Sequence, residues 1–269
     1  MAMHYNRVIS LSKIVKRPLK NFLKRTNLLG IARLAAYRLI GYNAVNIQQR
    51  RKALRFYAQF IRKNNLVFDI GANVGQRTEL FSELGAKVIS VEPQQACLQS
   101  LYELFGNNRK VIIVAKAVAE VEGFREMYIS DNSIISTMSN KWKTEGRFAK
   151  DHQWRRTEKV GITTLDSLIQ QYGLPVFCKI DVEGFEKKVL AGLTKQIPFI
   201  SFEFCRDFFD DIKECIGRLL SIGQYKFNCS IGESTELLSP IWLSPNELYE
   251  TLGLLKNALL WGDIYAKLY

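Results

Sequence analysis

From Leu66 onward, short apolar runs alternate with stretches in which apolar side chains recur every three or four positions. Leu66-Val67-Phe68 reads as a buried strand closed by Asp69. Leu80, Phe81 and Leu84 give one apolar face to a helix from Gln76 to Leu84, with Gly85 as its natural C-cap. Lys87–Val91 is a second strand, ending on Glu92 and broken by Pro93. The alternation continues with a helix over Gln95–Phe105 and a strand over Lys110–Val114, followed by Ala115–Val118 at that strand's carboxyl end. Next come a hairpin or insertion strand at Phe124–Ile129, a strand at Val160–Thr163 and a helix at Thr164–Tyr172. Val176–Asp181 is again a buried strand, and the helix after it carries Glu186 in its first turn. A strand at Phe199–Phe204, a helix at Asp207–Ser221, a strand at Tyr225–Cys229, a turn at Gly232–Ser234, a short helix at Asn246–Gly253 and an apolar strand at Asn257–Ala266 complete the pattern. Alternating strands and helices predict an α/β fold around a mostly parallel sheet. The last strands follow one another too closely for two helical crossovers, so one pair is expected to be antiparallel. Ser130–Arg156 is polar and reads as a mobile loop on the substrate side, anchored by Trp142 and Trp154.

The first 63 residues form a separate helical arm or cap, and residues 64–269 the main domain. Val8, Leu11, Val15, Leu19 and Phe22 fall at helical spacing among basic residues, with Pro18 expected to kink that helix. Residues 28–40 and Arg50–Lys63 read as two further helices. Charge sharpens the division. No Asp or Glu precedes Asp69, while 15 Lys and Arg do, leaving 23 basic against 26 acidic residues in the remainder. The net charge of +12 therefore belongs to the arm. Such an arm suits an anionic membrane surface or an anionic substrate, or else packs as a cap with its charges solvated. Its basic, acid-free character is also that of a transit peptide. Hydrophobic content of 47% and charged content of 24% are those of a globular protein. Five scattered cysteines without a CxxC pair suit a reducing compartment. No apolar run reaches the length of a membrane span and no signal-peptide pattern is evident, so a cytoplasmic protein, peripheral to a membrane if attached at all, is expected.

Candidate chemistry begins at the turn Gly71-Ala72-Asn73-Val74-Gly75, at the carboxyl end of the first strand, where open α/β sheets bind ligands. A dinucleotide fingerprint would need glycine at 73, which is asparagine. Glu92 at the next strand tip could accept hydrogen bonds from two ribose hydroxyls, and Asp69 could meet a cationic or amino group. A nucleoside with a zwitterionic tail fits this set better than a dinucleotide, and S-adenosylmethionine is that molecule. The plainer alternative is that Asp69 caps the helix and the glycines only turn the chain.

The second informative stretch is Val176–Leu193, in which Asp181 and Glu183 follow a buried strand; Glu203 stands at the tip of the next. These carboxylates could act as a general base, orient a hydroxyl or hold a divalent cation, although no metal is expected. Helix capping and dipole complementation are the alternative role, to which Glu186 contributes. Asp181 is the expected base or hydroxyl-orienting group, with Glu183 and Glu203 supporting it or binding the acceptor. His152 is the alternative base. With only His4 and His152 in the chain, a histidine-rich metal site is excluded.

Taken together, VFDIGANVGQRT, SVEP, AKAV, TTLDSL, KIDVEGFEKKVLAGL and ISFEF, spread over residues 66–204, resemble the FkbM family of S-adenosylmethionine-dependent methyltransferases. The KIDVEGxE segment is far more specific than the glycine turn. The resemblance implies a Rossmann-like, class I fold with a seven-stranded sheet whose last strand is antiparallel. It also implies O-methylation of hydroxyls on sugars, glycans, glycolipids or secondary metabolites. By the same resemblance Asp69, Gly71, Asn73 and Gly75 would hold the methionine end of the cofactor, Glu92 the ribose, and Ala117 would lie near the adenine, with Asp181 near the transferred methyl. The arm lies outside the shared motifs. An RNA methyltransferase using the arm on phosphates is a competing reading. Against it stand the absence of an N/D-P-P-Y/F tetrad and the slightly acidic core, so nucleic acid is not the expected partner. A membrane-attached adenosyl-binding module without turnover is the other.

Overall fold

The computed structural model describes residues 44–130, 135–146, 149, 151–255 and 260–269. The expected helices over 8–24 and 28–40 lie outside the described residues. The chain divides into compact units at residues 1–49 and 50–269. That boundary differs from the one at 63/64 read from the sequence, for a packing reason. Helix α1 (Ala44–Tyr57) and the turns after it bring Ala53, Phe56, Tyr57, Phe60 and Ile61 to one face, and all five are buried with Val67, Phe81, Phe177 and Tyr265. Phe60 stacks between Phe177 and Tyr265, each 5.5 Å away, so residues 50–63 belong to the core unit.

Within this unit, β1 (Leu66–Ile70), α2 (Gln76–Glu83), β2 (Lys87–Val91), α3 (Gln95–Phe105) and β3 (Val111–Val114) follow in turn. Then come β4 (Ala117–Val118), β5 (Gly123–Ser130), α4 (Asn140–Glu145), β6 (Trp154–Thr163) and α5 (Leu165–Tyr172). The remainder is β7 (Phe177–Ile180), α6 (Glu186–Ala191), β8 (Phe199–Cys205), α7 (Phe209–Ile222), β9 (Tyr225–Ile231), α8 (Pro245–Leu254) and β10 (Trp261–Leu268). Seven strands form one sheet in the order β3-β2-β1-β7-β8-β10-β9. Pairing is parallel from β3 to β8, and β10 runs antiparallel to both β8 and β9. The α/β reading with an antiparallel closing strand is thus correct. Asn257–Leu259 of that predicted strand lie outside the described residues.

Because side chains alternate along a strand, the sheet has two different faces. One, carrying Phe68, Ile70, Cys178, Ile180, Ile200, Phe202 and Ile264, is wholly apolar and packs under α5, α6 and α7. The opposite face is graded. Val67, Phe177 and Phe199 at the strand starts pack with α1 and α2, but two residues on the same strands present Asp69, Lys179 and Ser201, and Glu203 follows. Apolar burial anchors one end of this face and leaves a buried polar end where the parallel strands stop.

The expected insertion is a second sheet, β4-β6-β5, with β5 and β6 antiparallel and its own core of Met127, Ile129, Val160, Ile162 and Phe185. This corrects the reading of Ser130–Arg156 as one mobile loop. Strand β6 already begins at Trp154, Thr137 pairs with Tyr128, and the short helix α4 buries Trp142 against Phe208. Ser139 caps α4 by accepting the Trp142 N–H at 3.1 Å.

Candidate active site

The glycine turn leaves β1 with Gly71 at φ +81° and Gly75 at φ +89°, in the left-handed region that favours glycine. A Cβ on Gly71 would stand 1.9 Å from the Asp181 carbonyl oxygen, so the bare Cα is what lets the ends of β1 and β7 meet. A Cβ on Gly75 would strike Phe105 and Leu101 of α3. Asn73, where a dinucleotide site would have glycine, adopts φ +49°, a conformation asparagine tolerates better than most residues.

A narrow crevice, open to solvent, lies over these strand ends. Gly71, Asn73, Glu92 and Gln94 line one side, Ala117 and Lys116 another, and Asp181 with Glu183 a third; Met127, Ser136 and Met138 come from the insertion. The structure therefore gathers Gly71, Asn73, Glu92, Ala117, Asp181 and Glu183 around one space. Asp69, Gly75 and His152 do not line it.

Asp69 is turned into the sheet, where its Oδ2 accepts from the Thr78 hydroxyl at 2.5 Å, and Thr78 in turn bonds to Ser90 at 2.9 Å. Burial pushes the Asp69 carboxyl up to about 6, against the pull of Thr78 and Lys179. Asp69 thus supports the turn from behind. Glu92, expected from the sequence to accept from ribose hydroxyls, already receives the Asn73 N–H on Oε2 and the Gln94 N–H on Oε1, both at 2.8 Å. Those bonds fix the carboxylate at the crevice wall, and each oxygen keeps lone-pair capacity for a further donor. Its pKa is raised to about 7 by burial, which outweighs the two N–H groups.

Oxygens of Asp181, Glu183 and Glu203 all lie within 4.8 Å of one another. The turn that carries the first two is unusual: Glu183 has φ +53° and Gly184 φ +83°. Glu186, the first residue of α6, holds this turn by accepting N–H bonds from Val182 (3.0 Å) and Gly184 (3.4 Å), and Thr137 donates to the Glu183 carbonyl at 2.7 Å. The helix-capping role foreseen for Glu186 is therefore present. It accounts for Glu186 and leaves Asp181 and Glu183 at the crevice, with Glu203 beside them but outside its lining.

The sequence reading missed Lys179 and Asp263. Lys179, fully buried in β7, donates to Asp181 Oδ2 at 3.1 Å and to Asp263 Oδ1 on β10 at 2.9 Å. Burial alone would lower the Lys179 pKa, yet the two carboxylates hold it well above its ordinary value. A signal did exist: a lysine inside an otherwise apolar buried strand requires a partner.

Asp69, Glu92 and Glu186 have raised pKa values of about 6, 7 and 7. Each favours its neutral form in the folded state, so the stability it contributes is present below its unfolded value and is lost as pH rises through the folded one. The melting temperature, followed by calorimetry, is expected to fall as pH rises from about 4.5 to about 7. Glu92→Gln, which cannot ionise, should flatten part of that fall; an unchanged slope would refute the assignment.

A parallel sheet in this strand order, a glycine turn after β1, an acidic residue at the tip of β2 and carboxylates after β7 define a Rossmann-like, class I S-adenosylmethionine-dependent methyltransferase. The sequence profile of the methyltransferase FkbM domain matches residues 69–227, more than half of the chain, and the protein belongs to that family. No curated protein matches it. Among solved structures it is similar to precorrin-6Y C5,15-methyltransferase from Geobacter metallireducens, at 10% identity and a TM-score of 0.43, covering 82% of this chain and 87% of that one. A putative O-methyltransferase from Klebsiella pneumoniae is similar at 10% identity and a TM-score of 0.42, covering 98% and 94%. A putative methyltransferase from Streptococcus mutans, solved with S-adenosylhomocysteine, shows 13% identity and a TM-score of 0.38, covering 80% and 96%.

Proposed function

We propose that the protein transfers a methyl group from S-adenosylmethionine to a hydroxyl of a sugar, glycan, glycolipid or secondary metabolite, with carboxylate assistance. The observation that carries this reading is the convergence of Asp181, Glu183 and Glu203 within 4.8 Å, the first two sharing a crevice with Gly71, Asn73 and Glu92. The side chains there suit the cofactor. Glu92 offers a fixed carboxylate for ribose hydroxyls, Gly71 and Asn73 expose main chain for the methionine end, and Ala117 is small enough to lie beside a flat base. When bound, S-adenosylmethionine supplies an activated methyl on a sulfonium centre with a good leaving group. What remains for the chain is alignment of the acceptor and removal of its hydroxyl proton. Asp181 does both in this reading: its carboxylate accepts the hydroxyl hydrogen, while Lys179 fixes its orientation from below. Glu183 and Glu203 hold the acceptor's remaining donors.

Calorimetric titration with S-adenosylhomocysteine, beside NADH, tests the cofactor half of the reading. Adenosyl-ligand binding is expected without NADH binding. Glu92→Ala should weaken it by about 10- to 100-fold, the cost of losing hydrogen bonds to a charged group. Binding of NADH instead, or of neither, would overturn the assignment. Hydroxylated acceptors, screened by release of S-adenosylhomocysteine, then test the O-methylation half.

A further inference from the structure

We infer that the exposed basic face running from α1 to the start of β1 is a docking surface for an anionic membrane. Arg51, Lys52, Arg55, Arg62 and Lys63 are all exposed along this segment, while Ala53, Phe56, Tyr57, Phe60 and Ile61 point into the core. Among the described residues none of these five cations is in an ion pair, although Arg50 beside them bridges to Glu79 and Glu83 of α2. No acidic residue interrupts the chain before Asp69, so nothing within the segment neutralises the face. The rest of the chain is slightly acidic, and this segregation orients the molecule in the field of an anionic surface.

A membrane fits better than a nucleic acid. The sequence that leads into the face repeats Val8, Leu11, Val15, Leu19 and Phe22 at helical spacing among its lysines and arginines, the pattern of an interfacial segment. The crevice is lined by Glu92, Asp181 and Glu183, which would repel a phosphate backbone delivered to it. No helix among the described residues is long and apolar enough to cross a bilayer.

The test is co-sedimentation of the full chain with vesicles of phosphatidylcholine alone or mixed with phosphatidylglycerol. Binding is expected only to the mixed vesicles and should weaken with salt. A basic residue near such a surface contributes about fivefold in affinity (about 1 kcal/mol), so the triple variant Arg51→Gln/Lys52→Gln/Arg55→Gln should bind on the order of 100-fold more weakly. These side chains are exposed, and an unchanged melting temperature would show that the variant is folded. Equal binding to both vesicle types, retention of binding by the folded triple variant, or preferential binding of an RNA duplex would each overturn the inference.

Discussion

Exchanging Asp181 for asparagine is expected to slow methyl transfer by about 10²- to 10⁴-fold, the range general-base assistance contributes, while S-adenosylhomocysteine affinity changes only a few-fold. Asp181 leaves β7 at the point where Gly71 leaves β1, and the two backbones touch so closely that a methyl group at Gly71 would overlap the Asp181 carbonyl. The side chain is consequently fixed at the mouth of the crevice, with its Oδ2 on Lys179 and its surface partly exposed. Asparagine preserves size and can still accept from Lys179, but its amide cannot take a proton from an attacking alcohol. Glu183→Gln and Glu203→Gln should chiefly raise the acceptor KM, because those carboxylates are assigned to binding. The measurement is single-turnover formation of S-adenosylhomocysteine with an acceptor found by screening. An Asp181→Asn enzyme that turns over at the parent rate would remove this base from the proposal.

Much of this site was legible because its parts are local in sequence. Gly71, Asn73 and Gly75 sit in one turn, Glu92 ends the next strand, and Asp181 and Glu183 lie in one loop, so strand periodicity alone brought them to the same sheet edge. Glu203 followed from the rule that parallel neighbours end on the same side, and the described structure brings its oxygens to the other two carboxylates. What periodicity could not supply is the direction of a buried polar side chain. Asp69 and Glu92 both end apolar runs, yet Asp69 lies inside β1 and bonds to Thr78 while Glu92 lies one residue beyond the end of β2 and lines the crevice. Asp263 was illegible for another reason. Its partner Lys179 lies 84 residues earlier, and the two meet only because β10 inserts antiparallel beside β8. The domain boundary shows the same limit: the basic residues of 50–63 grouped that segment with the arm, while its alternate face of Phe56, Tyr57 and Phe60 commits it to the core.

Lys179→Met is expected to destabilise the fold by about 3–5 kcal/mol, the cost of removing one member of a buried ion pair and leaving charge behind. Two carboxylates lose their shared cation at once, and Asp263, whose side chain is only 13% exposed, has little water to turn to. Arg77 stands near enough to Asp263 to feel its charge, which places the loss toward the lower end of that range. Urea denaturation measures it directly. The informative companion is Lys179→Met/Asp263→Leu, which removes the cation and its more buried partner together. If the cost is uncompensated charge, the double variant should recover more than half of the lost stability; losses that simply add would refute the argument. Recovery of the fold should not bring recovery of turnover, since Asp181 would still lack the ammonium that holds it. The double variant thus separates the two demands on this sheet. An apolar residue at 179 would suit β7 only if Asp263 and Asp181 changed with it, so the lysine ties the stability of the strand to the carboxylate at the crevice.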